Sequence, residues 1–168
     1  MILTMKALAD AEIESLLAQP QLALDLLLPE GDDASDDPSL IDLDKAWHGI
    51  HYLFTGTAWN GELPLSALVV GGESLPDPDE EWGYGPPRVL RSVDVAACNA
   101  ALEVLSDDDL AARFDPADMT AKEIYPEIWD RDPQEDDALG YLMEYVDVLR
   151  NFIRRACANE EGLVVALV

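Results

Sequence analysis

The sequence has few of the residues that build reactive centres or surfaces for binding nucleic acid. Its 168 residues include two cysteines, two histidines and ten lysines or arginines, against 35 aspartates and glutamates. The formal net charge of -25 disfavours DNA or RNA binding, because neutralising phosphates supplies most of that affinity. The same charge would attract cations or a basic protein, or it would serve solubility alone.

Long apolar runs and paired cysteines are also missing. Cys98 and Cys157 lie in segments with helical periodicity and have no C-x-x-C spacing, so we expect both to be reduced and packed. Residues 1–17 carry one lysine followed by acids, the wrong charge order for a signal peptide. No apolar run approaches the length that spans a membrane. These features predict a cytoplasmic protein without a membrane segment.

The length and hydrophobic content predict one domain over residues 1–168. With 49% hydrophobic residues, the chain can bury one core, whereas two domains would each be marginal in size. Residues 1–5 and 163–168 are apolar and indicate strands at both termini, with residues 88–91 as a short central strand. Helical periodicity dominates elsewhere and is clearest from Asp136 onward. We therefore predict a predominantly helical α+β domain with a small sheet.

Residues 40–56 combine a core stripe and a polar stripe on one predicted helix. The apolar stripe has a 4, 3, 4 spacing and consists of Leu43, Trp47, Ile50 and Phe54. The polar stripe repeats that spacing one residue later and consists of Asp44, His48, His51 and Thr55. Asp42 is a suitable N-cap and Gly56 stands where a left-handed C-cap is common. The pattern predicts an amphipathic helix with its imidazoles on the polar face.

The polar stripe leaves three interpretations open. Asp44, His48 and His51 could form a two-histidine, one-carboxylate metal site, although the ligands crowd within two turns of one helix. The imidazoles could act as general acid and base, although the sequence places no nucleophile beside them. In the third interpretation, the histidines only form hydrogen bonds within the core or a pocket wall. We favour the third and expect no metal and no cofactor.

A second group of functional residues lies in the loop formed by residues 75–87. The loop is rich in proline, glycine and acids, and it carries Trp82 and Tyr84 just before Arg88. Its glycines would let a ligand approach the backbone, and an arginine suits a carboxylate or phosphate. The spacing matches neither G-x-G-x-x-G nor a P-loop. In the structural alternative, the aromatic residues fill the core and Arg88 pairs with an acid.

We expect the predicted helix and this loop to meet in one polar cleft. Its candidate binding residues are Asp44, Trp47, His48, His51, Trp82, Tyr84 and Arg88. The preferred function is a non-enzymatic binding or interaction module for a basic protein or a small ligand. One specific form is an immunity protein that neutralises a cationic toxin. The alternative is a small hydrolase or transferase that uses the histidines and Asp44.

Several strings of this sequence resemble the YfbM-like family, a domain of unknown function (1877) found in bacteria. The most specific are the Trp-His-Gly-Ile-His string at residues 47–51 and the Gly-Tyr-Gly-Pro string at residues 83–86. The remaining matches follow in order along the chain: residues 41–46, 52–53, 55–56, 71–72, Arg88, residues 124–126 and Trp129. Pro87 and the acidic insertion near Asp32 are departures. The resemblance implies a single α+β domain and implies no activity.

Overall fold

A computed structural model describes residues 1–29, 37–76, 82, 84–132, 134 and 136–168. The acidic residues near Asp32 and Asp79 lie outside this described part. The described residues form five strands: β1 (Leu3–Ala9), β2 (Leu40–Asp42), β3 (Glu73–Ser74), β4 (Arg88–Leu90) and β5 (Glu161–Leu167). They also form these helices: α1 (Asp10–Ala18), α2 (Leu22–Leu27), α3 (Trp47–Thr55), α4 (Ala67–Val70), α5 (Ser92–Glu103), α6 (Asp107–Arg113), α7 (Pro116–Ala121) and α8 (Ala138–Ala158).

The two ends of the chain form the centre of one antiparallel sheet. The strand order is β2-β1-β5-β4-β3, and Leu3 of β1 pairs with Leu167 of β5. The predicted sheet from both termini and residues 88–91 is therefore confirmed. Two short strands, β2 and β3, extend it at the edges and were not predicted, because residues 40–42 were assigned to the central helix and the two residues of β3 carry no periodic signal.

Helices cover both faces of the sheet. Alternate residues of β5 point to opposite sides, so that Val165 belongs to one core cluster and Val164 to the other. The larger cluster contains α3, α5 and α8, and the smaller one contains α1 and α2. Because both sides are buried, β5 is apolar along most of its length rather than alternating.

The α+β fold class with predominantly helical content is confirmed. The longest helix, α8, begins after Asp137, whose side chain accepts a hydrogen bond from the backbone N–H of Gly140, and this agrees with the helix predicted from Asp136. Among the helices that the structure describes, none is long and apolar enough to cross a membrane.

The predicted start of the central helix is wrong. Asp42 is the last residue of β2 and pairs with Thr4, so it belongs to the sheet and caps no helix. Asp44 follows in a turn with a φ of 43°, and α3 begins only at Trp47. Gly56, with a φ of 72°, does form the predicted left-handed C-cap. Asp44 therefore does not share a helical face with the two histidines.

Candidate functional site

Helix α3 is buried on all sides, including its predicted polar face. The core stripe is buried as predicted, since Leu43, Trp47 and Ile50 have no exposed surface and Phe54 has little. His48 and His51 are just as buried, with 1% and 0% of their surface exposed. The amphipathic interpretation is thus wrong, because the loop after α3 folds back over the polar stripe and supplies hydrogen-bond acceptors for it.

Both ring nitrogens of His48 are bound to the backbone. Its Nε2 donates to the carbonyl oxygen of Ala58 at 2.8 Å, and its Nδ1 accepts from the N–H of Tyr125 at 2.9 Å. A carbonyl only accepts and an N–H only donates, so this environment selects the neutral ring protonated at Nε2. Burial also lowers the pKa of His48 from its usual value of 6.5.

His51 holds the same loop two residues further on. Its Nε2 donates to the carbonyl oxygen of Asn60 at 2.9 Å, and the hydroxyl of Thr57 donates to the same oxygen. Burial lowers the pKa of His51 to about 4, although its hydrogen bond to Asn60 raises the pKa, and the positive charge of Arg88 lowers it slightly further. The ring is therefore neutral at pH 7. Its Nδ1 is buried without a hydrogen-bond partner among the described atoms.

The two histidines fix the residues on either side of Trp59. The Trp59 ring lies 4.4 Å from the ring of His48, and 54% of the residue is exposed. Behind His48, the Trp47 ring stacks on the imidazole at 4.7 Å with an angle of 8° between the planes, and Tyr125 stacks on Trp47 in turn at 6.1 Å. A continuous column of aromatic rings thus runs from the core to one exposed tryptophan.

Trp59 lines a cavity of about 190 Å³ together with Tyr84 and Arg88. The remaining lining residues are Val69, Val70, Gly85, Pro86 and Leu167. Tyr84 is 57% exposed at the rim. We call this concavity the aromatic cavity. Of the seven residues predicted for one polar cleft, Tyr84 and Arg88 are among its lining residues, and the other five are not.

Arg88 is the charged group of the aromatic cavity. Its Nη1 donates to the carbonyl oxygen of Gly71 at 3.0 Å, and burial lowers its pKa to about 10. The guanidinium therefore keeps its positive charge at neutral pH, although it is partly withdrawn from water. A fixed, partly desolvated guanidinium binds carboxylate or carbonyl oxygens more strongly than a mobile one on the surface.

The other predicted site residues lie at different depths from the cavity. Trp47, His48 and His51 form the layer behind Trp59 and do not line the cavity. Trp82 is half-buried against the smaller core cluster, as in the structural alternative for that residue. The carboxylate of Asp44 accepts from the hydroxyl of Tyr141 in α8 at 3.0 Å. Thus the structure places Tyr84 and Arg88 in one cavity lining, places the two histidines behind Trp59, and leaves Asp44 and Trp82 outside the lining.

Trp59 was not among the site residues predicted from the sequence. Residues 57–62 read as a polar turn, and the only signal was a single tryptophan inside it. A large aromatic residue in an otherwise polar loop is either an anchor in the core or part of a binding surface. Its exposure favours the binding surface.

This geometry counts against catalysis or metal binding by the histidines. Their Nε2 atoms are used by backbone carbonyls, and Asp44 is bound to Tyr141. Within the described ranges, no three His, Cys, Asp or Glu side chains are grouped to hold a metal ion. Cys98 is buried, its Sγ donates to the carbonyl oxygen of Pro64, and burial raises its pKa to about 12. That cysteine stays a thiol and is a poor nucleophile.

The basic side chains are largely neutralised by the acidic surface. Those within ion-pair distance of a carboxylate are Lys6, Arg91, Lys122, Arg131, Arg150 and Arg155. The large excess of acids over bases therefore leaves a surface with strongly negative potential.

Comparisons with known proteins agree with this fold and assign no activity. The model of the family described as a domain of unknown function (DUF1877) matches residues 1–166. The crystal structure of YfbM from Escherichia coli, a protein of unknown function, superimposes with a TM-score of 0.75 at 24% sequence identity, and the match covers 100% of both chains. That likeness supports the fold alone. No curated protein matches the sequence.

Proposed function

This chain belongs to the DUF1877 family, and from the site described above we propose that it is a non-enzymatic interaction module that binds a basic protein through the aromatic cavity. The observation that carries the proposal is the placement of Trp59, Tyr84 and Arg88 around one exposed concavity. Tryptophan, tyrosine and arginine are the three residue types most enriched among those that dominate protein-binding energies.

The support beneath the cavity favours binding over a purely structural role for these residues. Trp59 is more than half exposed, yet both flanking carbonyls are tied to buried histidines. A loop that is already ordered loses less conformational entropy when a partner binds. The tethered loop thus keeps more than half of a tryptophan exposed to solvent.

The charge of the protein favours a basic partner. With 35 acidic and ten basic residues, its field would accelerate encounter with a positively charged protein and would repel nucleic acid. Arg88 itself would bind carbonyl or carboxylate oxygens of that partner, and the attraction of the partner's basic groups comes from the net charge of the whole protein. An immunity protein for a cationic toxin is one form that this chemistry fits.

The proposal is tested by capturing partners on the full-length protein. The binding variant is Trp59→Ser/Tyr84→Ser, and the matched control is Val148→Ser, which changes an exposed apolar residue of α8 outside the cavity. Capture from bacterial lysate at about 50 mM and about 500 mM salt separates screened from unscreened charge interactions. We expect a basic protein to be retained at low salt by the wild type and the control, and lost by the double variant.

Two results would refute the proposed function. One is that no basic protein is retained at low salt. The other is that the Trp59→Ser/Tyr84→Ser variant retains the same protein with the same affinity, measured by titration of the purified pair. In that case the aromatic cavity is not the binding surface.

We also propose that residues 1–168 act as one domain, in the cytoplasm. Pairing of β1 with β5 joins the two ends of the chain in the centre of the sheet, and both cysteines are free thiols. One cooperative unfolding transition by fluorescence and circular dichroism is the expected result, whereas two separated transitions would contradict a single domain.

A further inference from the structure

A second concavity is lined in part by other residues of the loop that carries Trp59, such as Thr57 and Gly61. It has a volume of about 780 Å³ and runs between residues 61–65, the end of α5 and helix α6. Its apolar lining includes Phe54, Leu63, Leu65, Val104 and Leu105. We call it the apolar groove.

The two most exposed large hydrophobic residues of the described chain stand at this groove. Val104 is 82% exposed and Leu63 is 76% exposed, and both line it. Single exposed hydrophobic residues are ordinary on protein surfaces, but these two add to the apolar lining of one concavity. Exposed apolar surface of that kind is common where another molecule binds.

The charges of the groove are mainly acidic. Glu62 and Asp109 contribute carboxylates to its lining, and Arg113 is the one basic residue there. The guanidinium of Arg113 is already engaged, since its Nη1 donates to the carbonyl oxygens of Leu53 and Phe54 at 3.0 and 3.2 Å. Those bonds leave the guanidinium charged, so the lining carries two carboxylates against one guanidinium and keeps a small net negative charge, on a protein with a net charge of -25.

We propose that the apolar groove binds an extended segment of a partner protein in which leucine-like residues alternate with lysine or arginine. This inference rests on the proposed function. It adds a second contact, in which a linear segment of the same basic partner binds in the groove. A protein segment fits better than a small molecule, because small-molecule pockets bury most of their ligand, whereas Leu63 and Val104 project from an open rim. Apolar side chains of the segment cover the rim, and a cation of the segment faces Glu62, whereas Asp109 is already held by the backbone N–H and hydroxyl of Ser106.

The experiment uses a synthetic peptide of about eight residues, which is about 26 Å long when extended. The peptide contains two leucines flanked by lysines, with glycine and serine elsewhere. Two comparison peptides have either glutamates in place of the lysines or serines in place of the leucines. Binding to the full-length protein is followed by titration and by backbone amide chemical shifts at about 150 mM salt, where long-range charge effects are screened.

Two substitutions in the groove have matched controls elsewhere. Val104→Ser removes the exposed apolar group at the rim, and Val93→Ser does the same at a 71% exposed position of α5 outside the groove. Glu62→Lys reverses a charge in the groove, and Glu144→Lys reverses one on the exposed face of α8. All four positions are exposed, so we expect the variants to fold.

We expect saturable binding of the leucine-lysine peptide, with shifts confined to residues 61–65 and 101–109. Val104→Ser and Glu62→Lys should each weaken binding at least about tenfold, which corresponds to about 1.4 kcal/mol, and the controls should not. Neither comparison peptide should bind. Equal binding of the leucine-free peptide, or equal losses in the controls, would overturn the proposal, since binding would then be unspecific charge attraction.

The outcome also separates this inference from the proposed function. If the peptide shifts the signals of Trp59 and Tyr84 and ignores the groove substitutions, the groove proposal fails and the aromatic cavity remains the binding surface. If the peptide binds in the groove but the captured partner binds Trp59→Ser/Tyr84→Ser with unchanged affinity, the groove proposal holds and the proposed role of the aromatic cavity fails. Absence of saturable binding by the wild type refutes the groove proposal alone.

Discussion

The Nε2 atom of His51 lies 2.9 Å from the carbonyl oxygen of Asn60 and ties the loop after α3 to the core. His48 makes the equivalent bond to Ala58 at 2.8 Å. Trp59 lies between these two tethered residues, and 54% of it is exposed. The histidines thus contribute to the surface indirectly, by fixing the backbone that presents the tryptophan.

Stability should depend on pH through these histidines. The pKa of His51 is about 4 in the folded protein and near 6.5 when unfolded, so between these values only the unfolded chain binds the proton. Stability rises with pH wherever the unfolded state binds more protons. The contribution of neutral His51 is therefore complete above about pH 6.5 and is lost as the pH falls toward 4.

Comparison with His51→Gln isolates this effect. Glutamine keeps an N–H donor for Asn60 and does not titrate, while the carboxylates titrate equally in both proteins. The free energy of unfolding in urea, measured from pH 7.5 to 5, should fall for the wild type relative to the variant by up to about 1.4 kcal/mol per pH unit. If the difference in free energy of unfolding between the wild type and His51→Gln did not change with pH, the buried, neutral state of His51 would be contradicted.

Partner binding should depend on Trp59 far more than stability does. Because more than half of Trp59 is exposed, Trp59→Ser should change the free energy of unfolding by less than about 1 kcal/mol. Truncating a tryptophan at the centre of an interface weakens binding by about 2 kcal/mol or more. The affinity for the captured partner should therefore fall at least about thirtyfold. Titration and urea unfolding measure the two effects. A large loss of stability with unchanged affinity would make Trp59 structural.

Much of this fold could be predicted from local sequence patterns. The spacing of Leu43, Trp47 and Ile50 and the C-cap at Gly56 depend on neighbours within one or two turns, and they were predicted correctly. The apolar termini likewise predicted strands β1 and β5, which pair with each other.

The features that were missed depend on distant residues. Pairing of Asp42 with Thr4 draws residues 40–42 into the sheet and moves the start of α3 to Trp47. Burial of the histidines depends on a loop that covers them and on the N–H of Tyr125, which lies 77 residues away from His48. One sequence gives the polarity of a side chain but does not show which backbone carbonyl will satisfy it. For that reason the sequence did not indicate that the histidines hold the residues on either side of Trp59.

Asp44 should act on stability and not on binding. Its φ of 43° suits aspartate or asparagine, and its carboxylate accepts from Tyr141. Asp44→Ala should lower the free energy of unfolding by about 1–2 kcal/mol, since it removes an acceptor and strains the turn. Asp44→Asn should cost less than about 1 kcal/mol, because asparagine keeps an acceptor and tolerates this conformation. Urea unfolding tests both, and loss of partner binding by Asp44→Asn would return Asp44 to the binding site.

Gly49 lets α3 approach α8 closely, and enlarging it should destabilise the core. A Cβ at Gly49 would lie 2.7 Å from a methyl carbon of Leu142 and 2.7 Å from the ring of Trp129. Both neighbours are fully or almost fully buried and have little room to move. Gly49→Ala should therefore lower the free energy of unfolding by about 1–3 kcal/mol, despite the higher helix propensity of alanine.

A double-variant cycle identifies the cause of that loss. Leu142→Val removes one carbon from the contact, so Gly49→Ala should cost less in the Leu142→Val background than in the wild type, by about 0.5 kcal/mol or more. Urea unfolding of the four proteins gives this coupling. Strict additivity would mean that Leu142 is not the obstacle, and a stabilising Gly49→Ala would contradict the close packing of α3 on α8. Since α3 carries His48 and His51, loss of this packing should also loosen the loop that carries Trp59. The amide signals of residues 57–60 should then be broadened.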